Sequence, residues 1–62
     1  MVVEKCNQLL LSLLGSEELA IRWWHSPNRA FNGEIPDDLI QTSMGRKQVY
    51  NYILSQIDPP YS

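Results

Sequence analysis

The sequence predicts an all-α fold, a small compact bundle of about four helices, and three observations support it. Apolar residues recur at three- and four-residue intervals toward both ends of the chain. No segment alternates apolar and polar residues long enough to make a half-buried strand. Gly, Pro, Ser and Asn fall where they divide the chain into helix-length pieces.

The first helix is expected over residues 2–14, where Val2, Val3, Cys6, Leu9, Leu10, Leu13 and Leu14 share one face and Glu4, Lys5, Gln8 and Ser12 lie opposite. Gly15 suits its end, and Ser16 is placed to cap a second helix whose Glu17 and Glu18 favour the positive end of the helix dipole. That helix is expected to run to about Trp24. Pro27 disfavours helix at Ser26, while Asn28, Asn32 and Gly33 tolerate the positive φ of a compact turn, so residues 26–33 read as an ordered loop. Pro36, followed by Asp37 and Asp38, suits the start of a short third helix that turns Leu39 and Ile40 inward and ends near Gln41. Thr42 or Ser43 then caps a fourth helix in which Val49, Ile53 and Ile57 repeat every four residues, before Asp58, Pro59 and Pro60 close it. Ala20, Trp23, Leu39, Val49, Ile53 and Ile57 are expected in one core.

The totals narrow the function. Sixty-two residues make one domain, and a chain this short buries only about 60% of the surface its unfolded form exposes. Its core is thin, so help from a partner or a second copy, as in a homo-oligomer, would be useful. At 44% hydrophobic residues the chain is too apolar to be disordered. Five basic residues against seven acidic ones, scattered rather than clustered, make a poor footprint for nucleic acid. The Leu9–Leu14 run is too short to span a membrane and unlike a signal peptide, and a lone thiol points to the cytoplasm.

Chemistry is sparse. Cys6 and His25 are the only thiol and imidazole, which rules out an internal disulfide and a Cys/His zinc cage; packing of Cys6 and a helix-end role for His25 explain both better than a nucleophile–base pair. Asp37 and Asp38 are explained by the helix dipole, and Gly15, Gly33 and Gly45 stand too far apart to cradle phosphate. No catalytic residue, metal or cofactor is therefore assigned. Trp23 and Trp24 say more. Consecutive helical positions point about 100 degrees apart, so one is expected in the core and the other, taken as Trp24, partly exposed as a binding anchor. The stiff tail, residues 58–62 with Pro59, Pro60 and Tyr61, is able to reach a partner, and Arg29 on the ordered loop can add a carboxylate or phosphate contact.

In order and spacing, Ala20, Trp23, "PNRAFNG" (Pro27, Asn28 and so on to Gly33), Pro36, Leu39, Ile40, Thr42, Gly45, Val49 and Ile53 resemble the signature of the toxin-binding domain of the Xre/MbcA/ParS antitoxin family, over about residues 15–57. That family has Ala-x-x-Trp, a Pro-Asn-x-Ala-Leu-Gly-Gly loop, Thr-Pro-Leu-x-Leu-Leu, then a Thr, a Gly and a Val. Phe31 and Asn32 depart from its Leu-Gly pair. Ile35 stands where a capping Thr is usual, so a less crisp start to the third helix is expected, and Asp58 and Pro59 replace a Gly after the fourth helix. Only the first helix precedes the matching region in this sequence, so the family's helix-turn-helix DNA-binding domain and operator binding are not expected. The resemblance implies a bacterial antitoxin-like domain that neutralises a RES-type, NAD-consuming toxin by covering the approach to its active site. It implies that the loop is a structural corner with Trp23 packed beneath it and with Ala30 and Phe31 turned toward the core. Two other readings remain: a stand-alone interaction or oligomerisation module, and a DNA-binding regulator, against which the acidic balance counts.

Overall fold

The computed structural model describes residues 2–57. Pro59, Pro60 and Tyr61 of the tail, expected to reach a partner, lie outside the described residues. Within them the chain forms α1 (Val2–Leu14), α2 (Glu17–His25), a single 3-10 turn (Arg29–Phe31), α3 (Pro36–Leu39) and α4 (Ser43–Ile57), an all-α bundle.

Each boundary has a local cause. Gly15 takes φ +78° and donates its N–H to the Leu11 carbonyl at 2.7 Å, closing α1 in the left-handed conformation that glycine adopts without strain. Ser16 caps α2, its Oγ accepting from the Leu19 N–H at 3.3 Å. At the far end, one residue later than expected, His25 Nδ1–H donates to the Ile21 carbonyl at 2.9 Å. Ser26 is extended, as a residue before proline should be. Pro36 opens α3, and Ile35 before it offers no side-chain cap, in keeping with the less crisp start expected there. α3 is shorter than expected: Ile40 sits at ψ 0°, and the Gln41 and Thr42 N–H groups bond three residues back to Asp38 and Leu39, so the segment tightens instead of continuing to Gln41. Thr42 then caps α4 by accepting the Gly45 N–H on its Oγ1 at 3.0 Å.

The core joins Cys6 and Leu10 of α1, Ala20 and Trp24 of α2, Phe31 of the turn, and Val49 and Ile53 of α4, with Pro36 also fully buried. Leu9, Leu11, Leu14, Trp23, Leu39, Ile40, Tyr50 and Tyr52 are partly buried around it. Three core expectations need correction. Trp23 and Leu39 are half-buried at the core margin, and Ile57 is 41% exposed, because it lies in the last turn of α4, one turn beyond the buried Ile53.

The tryptophan pair is the reverse of the sequence expectation. Trp24 is the buried member at 8% exposure, and Trp23 is the half-buried one. The physical reason is a partner for the indole: Trp24 Nε1–H donates to Asn7 Oδ1 of α1 at 3.0 Å, so its one polar atom is satisfied while the ring is buried. Trp23 instead centres an aromatic group. Its ring stacks on Tyr52 (6.5 Å between centroids, 17° between planes) and meets Trp24 and Phe31 edge-on at 5.2 and 6.1 Å. Phe31 and Tyr52 also meet edge-on at 5.2 Å.

Candidate protein-binding surface

The loop after α2 is a folded corner. Asn28 is its hub: its N–H donates to the Glu34 carbonyl at 3.0 Å, its carbonyl accepts from Phe31 and Gly33 at 3.0 and 2.9 Å, and its side-chain Oδ1 accepts from the Ala30 N–H at 2.9 Å. Asn28 and Glu34 thereby form an isolated antiparallel bridge across the base of the turn. Asn32 at φ 57° and Gly33 at φ +82° supply the left-handed steps. Asn28 itself is extended at φ −125°, so it serves as a hydrogen-bonding hub and not as a positive-φ residue. Of the two loop residues expected to turn inward, only Phe31 does so; Ala30 is exposed. A three-residue 3-10 turn has one inward position, and the large ring takes it. Pro27 is exposed ahead of the hub, and Trp23 packs edge-on against Phe31 beneath the corner.

The next corner is built differently. At Gly45 a Cβ would overlap the Leu39 carbonyl oxygen and lie 2.6 Å from its carbon, so α4 crosses the end of α3 at a distance only glycine permits. Arg46 Nη1–H donates to the Ile40 carbonyl at 3.0 Å, satisfying an acceptor at the end of α3 that the helix leaves open.

Of the residues predicted for partner contact, Trp24 and Arg29 are among the described ones. Arg29 is exposed on the 3-10 turn. Trp24 is not an exposed anchor, because its ring belongs to the core. An apolar groove of about 250 Å³ lies elsewhere, where the last turns of α1 meet the last turns of α4; Leu10, Leu13 and Leu14 face Tyr52, Ile53 and Gln56 there, and Trp23 also lines it. Leu13 and Ile57 are each 41% exposed. The half-buried aromatic residues at this groove are Trp23 and Tyr52. The i, i+3 step from Val49 to Tyr52 was the available signal for the tyrosine.

The reactive groups stay apart from this groove. Cys6 is buried, and burial pushes its thiol above its ordinary pKa, which disfavours the thiolate a nucleophile needs. His25 is exposed at the end of α2. Among the described residues no group of three His, Cys, Asp or Glu could hold a metal ion, and no helix is long and apolar enough to cross a membrane.

Residues 9–56 match the antitoxin Xre/MbcA/ParS C-terminal toxin-binding domain. Over 56 residues the chain is 32% identical to part of 6-hydroxy-3-succinoylpyridine 3-monooxygenase HspA of Pseudomonas putida (strain DSM 28022 / S16), a stretch that covers 90% of this chain and 18% of that protein. No solved structure matches. The chain belongs to the Xre/MbcA/ParS antitoxin toxin-binding domain family.

Proposed function

We propose that this domain binds a RES-type, NAD-consuming toxin in the cytoplasm and neutralises it by covering the approach to its active site. The observation that carries the reading is the family match over residues 9–56, which takes in both corners and the groove at the ends of α1 and α4. The domain acts as an inhibitor and not as a catalyst. No monooxygenase activity is carried to it, since the matched stretch is a small part of that enzyme. Contact falls to Leu13 in the groove, to the exposed Ile57 in the last turn of α4, to Arg29 on the turn, and to Pro59, Pro60 and Tyr61, which follow α4 in sequence. Trp24 supports this surface from the core.

The test is co-expression with a RES-domain toxin, comparing the parent with Leu13→Asp, Arg29→Ala and a chain ending at Ile57. Loss of a hot-spot contact of about 2 kcal/mol weakens binding roughly thirty-fold, and cellular NAD should fall in step. If all three variants protect NAD as well as the parent, the surface is misplaced. If the parent binds no such toxin, the second reading replaces the first: a stand-alone interaction or oligomerisation module, which the exposure of Leu19, Ile21 and Met44 favours.

A further inference from the structure

A second trough shares no lining residue with the groove at the ends of α1 and α4. It begins as a cleft of about 310 Å³ whose apolar walls are Val3 of α1, Ile21 and Trp24 of α2, and Ile40 after α3. It continues into a depression of about 220 Å³ that reaches Leu11. Asn7 and Ile21 line both, so the two form one strip along the seam of α1 and α2. Ile21, at its middle, is 60% exposed, whereas Ala20 and Trp24 beside it are buried. The strip is flanked by carboxylates from three separate helices, Glu4 of α1, Glu17 of α2 and Asp37 of α3, and no Lys or Arg is among its lining residues. His25 also lines the cleft, at the end of α2; an apolar floor whose edges hold carboxylates and a single imidazole calls for an occupant of the opposite pattern.

We propose that this trough docks a segment of a partner protein in which apolar side chains are flanked by Lys or Arg. The apolar side chain rests on Ile21 and the edge of Trp24, and the cations meet Asp37 and Glu17. The cleft is at the lower limit of small-ligand pockets, which run from about 300 to 1,000 Å³, and it suits one or two side chains better than a cofactor. Rim ion pairs steer and orient more than they bind, so the affinity resides in the apolar contact and the selectivity in the carboxylates. Val3, Glu4 and Asn7 precede residue 9, where the family match begins. The rest of the lining lies within the match, and the trough goes beyond the antitoxin reading because it shares no residue with the groove and the turn on which that reading places contact.

The test is a titration of the isotope-labelled chain, followed by amide and indole NMR shifts, with two short amphipathic peptides, one of Leu and Lys and one of Leu and Glu. The Leu/Lys peptide should shift Ile21 and the Trp24 indole and bind more weakly as salt rises, and the Leu/Glu peptide should not bind. Ile21→Ser should weaken binding about ten-fold, a loss of about 1.4 kcal/mol. Glu17→Gln with Asp37→Asn should flatten the salt dependence, whereas Glu34→Gln, on the loop outside the trough, should change nothing. Spectra of free Ile21→Ser that match the parent away from the site keep a folding defect from imitating the result. Equal binding of both peptides, shifts mapping elsewhere, or unchanged binding by Ile21→Ser would overturn the proposal. So would self-association of the parent that Ile21→Ser abolishes, which would assign the strip to a second copy. Toxin protection is read separately, so failure here leaves the antitoxin reading standing.

Discussion

Gly33 and Gly45 stand at two corners of the molecule, and each is glycine for a different reason. At Gly33 the backbone is left-handed and a Cβ would meet nothing within 4 Å. At Gly45 the backbone is helical and a Cβ would run into the Leu39 carbonyl. The first corner is made by its own residues, through the Asn28 hydrogen bonds and two positive-φ steps. The second is made by the contact of two helices and by the absence of a side chain between them. A corner of the first kind yields gradually when altered, and one of the second kind fails at once, because a packed backbone cannot move aside by a fraction of an ångström.

The largest effect should come at the second corner. Gly45→Ala forces α4 off α3, and overpacking of this kind costs about 3 kcal/mol, against a total of about 3 to 5 kcal/mol for a core this small. Urea unfolding should show little or no native baseline at 25 °C. A midpoint near that of the parent would mean that α4 slides freely and that the two corners are alike.

Gly33→Ala should be milder. With open space around it, the change brings only the left-handed backbone penalty, about 1 to 2 kcal/mol, and the variant should fold cooperatively with a lowered midpoint. A loss as large as that of Gly45→Ala would show that the first corner also depends on close packing.

Below this lie the side-chain caps, one at each corner. Asn28→Ala removes the acceptor for the Ala30 N–H and Thr42→Ala the acceptor for the Gly45 N–H, and each should cost about 1 kcal/mol. Asn28→Asp should recover most of the loss, since the carboxylate accepts the same bond. A cost for Thr42→Ala several times that for Asn28→Ala would sharpen the comparison, showing that the cap also holds the α3–α4 spacing.

The smallest effect belongs to Cys6, in the core that both corners close. Its folded pKa is raised by burial, so the stability contributed by the neutral thiol is complete below the ordinary thiol range and is lost as pH climbs through that range toward the raised folded value. The parent should therefore lose stability more steeply than Cys6→Ala between neutral and alkaline pH. Parallel slopes would mean that the thiol meets water.

Much of the first corner was legible in the sequence because its determinants are short-range. Pro27 makes Ser26 extended, Asn28 bonds residues two to six positions away, and Gly33 has its φ whatever packs nearby. The detail that escaped, Ala30 outward and Phe31 inward, depends on where the core lies. The proposed binding surface was less legible. Tryptophan at positions 23 and 24 satisfies the same local rules, and what chose between them was an amide seventeen residues earlier, on Asn7, for which the local pattern holds no signal.

The sequence by itself determined the helices and their caps, Gly15, Ser16, Pro36 and Thr42, and the short-range hydrogen bonding of the loop, because each is set by backbone torsions and bonds spanning at most one or two turns. Tertiary structure alone decided that Trp24 is buried and Trp23 half-open, that Ile57 lies past the core, that Gly45 touches Leu39, and that the carboxylates of three helices flank one apolar strip. Those outcomes follow from how the helices are rotated and spaced against one another. That arrangement is selected by the summed packing of the whole core, to which no single stretch of sequence contributes enough to decide it.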